Sequence, residues 1–68
     1  MKTGDIFQYA PKDRKGDEET FKIKLLQYVG KDAWDVLIMP VPSSNSPDWN
    51  SQYSGDYIHK NFVKISEA

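Results

Sequence analysis

The chain has 68 residues and no cysteine, so we expect one domain without disulfides or a thiolate metal site. Nine Lys and Arg residues against ten Asp and Glu residues give a formal charge of -1, without the basic excess typical of nucleic-acid-binding proteins. The longest apolar run, Val36 to Val41, is too short to cross a bilayer. Residues 1–5 contain no apolar segment of a secretory signal, so we expect a cytoplasmic protein without membrane association.

The first predicted strand is Ile6 to Ala10, which lies between Gly4-Asp5 and Pro11. Residues 12–19 carry many charges of both signs, and we interpret them as a solvated connection between strands.

A hairpin is the clearest element of the chain. Phe21 to Val29 alternates apolar and polar residues with the period of two that is typical of a half-buried strand. Gly30-Lys31-Asp32 predicts the turn, because glycine readily adopts a positive φ. The return strand is predicted from Ala33 to Val41.

Both faces of this hairpin carry apolar residues. The inward face is predicted to hold Phe21, Ile23, Leu25, Trp34, Val36 and Ile38, and the outward face Leu26, Tyr28, Leu37 and Met39. Outward positions of an antiparallel sheet are usually polar. Either the hairpin curls strongly and packs on both faces, or the outward face meets a partner protein or a second copy of the chain.

Residues 42–52 are predicted to form a loop, because Ser, Asn, Pro and Asp dominate their composition. Trp49 is the one large apolar residue in this segment. Its ring either folds back over the end of the core or is an exposed anchor for a partner, since tryptophan is enriched at binding hot spots.

The segment from Tyr53 to Ser66 predicts a turn, a short strand, one tight helical turn and a final strand. Residues 55–65 resemble the end of an SH3 domain, where the pattern is Gly, aromatic, aliphatic, Pro, Ser, Asn, aromatic, Val. The matching residues are Tyr57, Ile58, Asn61, Phe62 and Val63, whereas His59 and Lys60 replace the proline and the serine.

The resemblance implies an all-β fold: a small five-stranded SH3-like barrel with one 3-10 turn before the last strand. Ile58 and Val63 would then point into the barrel. The Ala-Leu-Tyr-Asp-Tyr motif and the paired tryptophans of signalling SH3 domains are missing, so the resemblance implies the fold and not the binding of proline motifs. In its general sequence character, without a shared motif, the chain is similar to the SH3-like barrels of small bacterial and phage proteins.

The sequence contains little that could support catalysis. His59 is the one histidine, and we interpret it as a surface or capping residue. No nucleophile with a neighbouring base, no phosphate loop and no metal-ligand spacing is recognisable. We therefore predict neither an enzyme nor a cofactor.

The leading hypothesis is a non-catalytic protein-interaction module, acting as a small inhibitor or adaptor by docking on a larger protein. The candidate partner-binding residues are Trp49, Tyr28, Leu26, Leu37, Met39 and Tyr53.

One alternative is a nucleic-acid-binding barrel, which would combine aromatic rings with basic side chains. The rings would be Phe7, Tyr9, Tyr28, Tyr53 and Tyr57, and the basic side chains Lys12, Arg14, Lys15, Lys22 and Lys24. A second alternative is a homo-oligomeric structural protein that associates through the outward face of the hairpin.

Overall fold

Five antiparallel strands form one sheet in the computed structural model, which describes residues 1–13 and 19–67. In chain order, the strands are β1 (Ile6–Tyr9), β2 (Lys22–Gly30), β3 (Ala33–Met39), β4 (Trp49–Ser54) and β5 (Phe62–Ser66). A 3-10 turn covers Pro42–Ser44, and helix α1 covers Gly55–Asn61. The sheet order is β4-β3-β2-β1-β5, which confirms a largely β chain with five strands. Within the predicted charged connection, residues 14–18 lie outside the described residues.

The β2–β3 hairpin closes through a two-residue loop. Lys31 and Asp32 have φ angles of 53° and 59°, and Gly30 before them has a φ of 87°. Two consecutive positive φ angles define the type of turn whose twist matches that of the flanking strands. The turn predicted at Gly30-Lys31-Asp32 is confirmed.

An extra residue interrupts the pairing of β2 with β3. Leu25 lies opposite Val36, but the next pair joins Gln27 to Asp35, so Leu26 has no direct partner. Such a bulge reverses the facing of the residues that follow it, here as far as a second irregularity between Tyr28 and Gly30. Tyr28 therefore lies opposite Trp34 and contacts its ring, and the prediction that Tyr28 faces outward with Leu26 is wrong.

The core lies on one side of the sheet. Its buried hydrophobic residues are Phe7, Ile23, Leu25, Trp34, Val36, Ile38, Ile58 and Phe62. The inward prediction is confirmed for the β2 and β3 members of this set, and Phe21 packs against it half-buried. Val63 was predicted to point inward, but it is 50% exposed and Phe62 occupies the core in its place. The reason is register: Phe62 pairs with the inward Tyr9, and Val63 with the outward Gln8.

Residues 49–52 are strand rather than loop, which corrects the sequence prediction. All six residues of β4 pair with β3 without interruption, from Trp49 opposite Ile38 to Ser54 opposite Ala33. Ser, Asn and Gln have low strand propensity, but pairing with a regular neighbour overrides that preference.

The helix before the last strand is a seven-residue α-helix, not the predicted 3-10 turn. The hydroxyl of Ser54 accepts the amide N–H of Tyr57 at 3.0 Å, which caps its first turn. The carboxylate of Asp32 accepts the N–H of Asp56, also at 3.0 Å. An ion pair of 3.2 Å between Lys60 and Asp56 spans one turn. The two hydrogen bonds satisfy amide groups that otherwise lack partners at the start of a helix. Together with the ion pair, they stabilise an α-helix in place of the predicted 3-10 turn.

Candidate functional site

An open apolar groove lies on the core side of the sheet, where β3 ends and β4 begins. It has a volume of about 500 Å³. Its lining residues come from three strands and from the segments that flank them: Tyr9, Glu19, Thr20, Phe21, Ile38, Pro40, Val41, Trp49 and Tyr53. We call this feature the aromatic groove.

The floor of the aromatic groove is continuous with a set of packed rings. Tyr9 stacks on Phe21 with ring centroids 4.9 Å apart, and Phe62 meets both rings edge-on at 5.3 and 5.7 Å. Tyr53 and Tyr57 extend the set on the other side of Phe62. Aromatic pairs in such geometries add stability beyond that of the buried area, and three of these rings, Tyr9, Phe21 and Tyr53, line the groove.

The segments on both sides of the charged connection are held together beside the groove. The N–H of Tyr9 donates to the carbonyl of Phe21 at 3.0 Å, and the hydroxyl of Thr20 donates to the carbonyl of Tyr9. These bonds position the two stacked rings, so this wall is preorganised.

Trp49 forms the opposite wall. It is the first residue of β4 and lies opposite Ile38, on the core side of the sheet. Its side chain is nevertheless 49% exposed. Trp49 therefore lies in a strand rather than in a loop, and it lines the groove while remaining half exposed.

Tyr53 is the second β4 residue in the groove. It lies opposite Trp34, half-buried, with its ring centroid 5.1 Å from that of Tyr57. Burial raises the pKa of the Tyr53 hydroxyl, and the nearby hydroxyls of Tyr57 and Tyr9 raise it further.

The six predicted partner-binding residues lie in three separate places. Trp49 and Tyr53 line the aromatic groove. Tyr28 lies near the tip of the hairpin, 52% exposed, where its hydroxyl accepts the N–H of Asp32 at 3.1 Å. The remaining three, Leu26, Leu37 and Met39, are half-buried in the β2–β3 hairpin. Of these, Leu37 and Met39 lie on the outer face of β3, where Leu37 stands between the buried Val36 and Ile38 and Met39 follows Ile38.

Tyr9 and Phe21 are groove residues that the sequence analysis did not select as partner-binding. A signal for them exists in the sequence: both are large aromatics at the two ends of the charged connection, where β1 and β2 must meet. Their proximity depends on the pairing of those strands, which the separate strand predictions did not include.

The described basic candidates, Lys12, Lys22 and Lys24, are not among the residues that line the aromatic groove. Lys22 and Lys24 alternate with the buried Ile23 and so point away from the groove. Glu19 is the charged residue among the groove-lining residues. Arg14 and Lys15, which were also candidates for phosphate contact, lie outside the described residues.

Among residues 1–13 and 19–67, no group of three or more His, Asp or Glu side chains could hold a metal ion. In the same residues, no helix combines the length and apolar character needed to cross a membrane.

No protein-family model, curated protein or solved structure matches this chain. The function of this chain is therefore inferred from the geometry of the aromatic groove and of the sheet edges.

Proposed function

We propose that this chain is a non-catalytic protein-interaction module with an SH3-like barrel fold, and that it binds an extended segment of a partner protein in the aromatic groove. The observation that carries the proposal is the position of Trp49, which is 49% exposed yet forms one wall of an apolar groove. By occupying a segment of a larger protein, the module would act as an inhibitor or an adaptor.

The barrel is supported by contact between the two edges of the sheet. Tyr53 lies on β4 and Phe62 on β5, and these strands are at opposite ends of the sheet order. Their ring centroids are 5.9 Å apart, so the sheet curls until its edges touch through side chains. A curled sheet of this kind has a concave side, and the groove lies on it.

The size and openness of the groove favour a peptide segment as its ligand. A volume of about 500 Å³ falls within the range of ordinary ligand sites. The groove is open to solvent rather than enclosed, so it suits side chains projecting from a longer chain. Rigid rings also bind at low cost in side-chain entropy.

The chemistry of the lining indicates which segment would fit. Phe21, Ile38 and Trp49 favour a large aliphatic or aromatic side chain, while the carboxylate of Glu19 favours a neighbouring lysine or arginine. The same carboxylate disfavours phosphate groups. A protein segment is therefore a better ligand than nucleic acid for this site.

A peptide selection tests the proposal directly. Random peptides displayed on phage would be selected on the purified chain, and one enriched peptide would be titrated by NMR. We expect the indole N–H of Trp49 to shift more than that of Trp34, which is 9% exposed. Trp49→Ala should weaken binding about 30-fold, as expected for a hot-spot tryptophan worth about 2 kcal/mol.

Ile65→Ala is the matched control, because Ile65 is a 46%-exposed apolar residue on β5 that does not line the groove. It should leave the affinity unchanged. Equal affinity of the wild type and Trp49→Ala would reject the groove. Tight, salt-dependent binding of single-stranded oligonucleotides without any peptide binding would favour the nucleic-acid alternative.

A further inference from the structure

Strand β4 is an edge of the sheet with an unusual composition. Across residues 1–13 and 19–67, β3 is its one hydrogen-bonded strand neighbour. Its six residues are Trp-Asn-Ser-Gln-Tyr-Ser, none of which is charged. Their pairing with β3 continues from Trp49 to Ser54 without a bulge. The far side of β4 therefore presents a regular, uncharged row of backbone donors and acceptors.

The opposite edge, β5, is protected against pairing. Lys64 occupies its middle and lies 3.7 Å from the buried carboxylate of Asp5 and 3.6 Å from Glu67. The pairing of β5 with β1 is also irregular between Ile6 and Phe7. A lysine and an irregular register are devices by which proteins prevent edge pairing. Strand β4 has neither of them, and it contains no proline.

We propose that β4 pairs antiparallel with β4 of a second copy of this chain, in a register centred on Ser51. This register places Trp49 opposite the partner's Tyr53, and Asn50 opposite the partner's Gln52. Aromatic pairs and polar amide pairs then alternate across the interface, and no like charges face each other. Directly opposed side chains of these types stabilise antiparallel strands.

The alternation along β4 supports this register over its neighbours. Trp49, Ser51 and Tyr53 lie on the core side, whereas Asn50 and Gln52 lie on the outer side. A shift by one residue would set Trp49 opposite the partner's Ser54 and lose the aromatic pair. Because the interface uses the same strand twice, it closes as a two-fold dimer. It is a different surface from the outer face of the β2–β3 hairpin.

Two double variants test the register, and they are chosen so that both should affect the stability of the fold to the same extent. Asn50→Lys with Gln52→Lys places like charges opposite each other across the interface, whereas Asn50→Glu with Gln52→Lys places opposite charges there. Both contain the same lysine at position 52, beside Asp35, whose carboxylate now accepts from the Gln52 amide at 3.1 Å. They differ only at position 50, which is exposed.

Sedimentation equilibrium at about 1 mM chain would detect pairing with a Kd as weak as millimolar. We expect the wild type and the Glu/Lys variant to approach twice the chain mass of 7.8 kDa. The Lys/Lys variant should remain at that mass. Amide hydrogen exchange of β4 in the wild type should slow as concentration rises.

A monomeric wild type at this concentration would overturn the proposal, as would equal association of the two double variants. Assemblies larger than two would overturn it in favour of pairing between β4 and β5. Thermal unfolding would verify that both variants fold. The proposed peptide site is tested separately, because the Lys/Lys variant retains Trp49 and should still bind a selected peptide.

Discussion

Tyr53 and Phe62 lie on the two edge strands of the sheet, yet their ring centroids are 5.9 Å apart. Phe62 also contacts Tyr9, Phe21 and Tyr57. One buried ring at the start of β5 thus joins β1, β4, α1 and the residue before β2. Two residues that line the aromatic groove, Tyr9 and Phe21, therefore pack against this side chain.

Phe62→Ala should lower the free energy of unfolding by about 3–5 kcal/mol, because it removes a buried aromatic ring and leaves a cavity. Urea unfolding followed by circular dichroism measures the loss. The neighbouring Val63→Ala is the control, since Val63 is 50% exposed and its truncation should cost no more than about 0.5 kcal/mol. Similar losses for the two variants would contradict the assigned facing of β5.

Gly55→Ala should destabilise the chain by about 1 kcal/mol, as expected for modest overpacking at a helix start. Gly55 is buried, and a Cβ at this position would overlap Oδ1 of Asp32. That carboxylate is not free to move, because it accepts the N–H of Asp56 while the Asp32 carbonyl accepts the N–H of Gly55.

The second change in this test is Asp32→Gly, which removes the carboxylate. Glycine also tolerates the φ of 59° at position 32. In that background, Gly55→Ala should cost nothing measurable. A double-mutant cycle by thermal unfolding determines the coupling. Additive effects of the two changes would show that the clash does not govern position 55.

Tyr28 separates two contributions at the hairpin tip. Tyr28→Phe removes only the hydroxyl that accepts the N–H of Asp32, and it should cost about 0.5 kcal/mol in this exposed setting. Tyr28→Ala also removes the edge-to-face contact with Trp34, at 5.2 Å between ring centroids, for a further loss of about 1 kcal/mol. Chemical unfolding gives both values. If Tyr28→Ala costs no more than Gln27→Ala, the bulge at Leu26 does not place Tyr28 against Trp34.

The pH dependence of stability should report on Tyr53. Burial and the neighbouring tyrosine hydroxyls raise its pKa in the folded chain, so folded protein holds this proton more tightly than unfolded protein. The stability that the protonated Tyr53 hydroxyl contributes is fully present below the pKa of tyrosine in the unfolded chain, which is about 10. It is lost as pH rises through the higher pKa of the folded chain.

Urea unfolding between about pH 8 and pH 11 measures this dependence. Tyr53→Phe cannot ionise at this position and should show a shallower decline than the wild type. A Tyr53→Phe profile parallel to that of the wild type would contradict the role of burial at this hydroxyl.

The β2–β3 hairpin was the most predictable part of the fold. Its alternation of apolar and polar residues encodes which side is buried, and Gly30-Lys31-Asp32 encodes the turn. The bulge at Leu26 was not predictable in the same way, because no glycine or proline marks it. It becomes apparent only when Gln27 pairs with Asp35, and this pairing decides the facing of Tyr28.

Strand β4 and helix α1 could not be predicted from the sequence for a different reason. The polar residues of β4 have the composition of a loop, and the strand depends on pairing with β3. Helix α1 receives an amide-capping contact from Asp32, which belongs to the hairpin turn. Two of the nine groove-lining residues, Trp49 and Tyr53, were therefore predicted as partner-binding, while Tyr9 and Phe21 required knowledge of which strands are neighbours.

The position of β1 between β2 and β5 has a consequence for how the chain is made. Residues 6–9 are synthesised before residues 62–66, which form one of their two hydrogen-bonding partners. Contacts this distant along the chain slow folding, because the intervening segment must first be ordered. While the ribosome is still translating, the first strand has an open edge that neighbouring nascent chains or chaperones can reach.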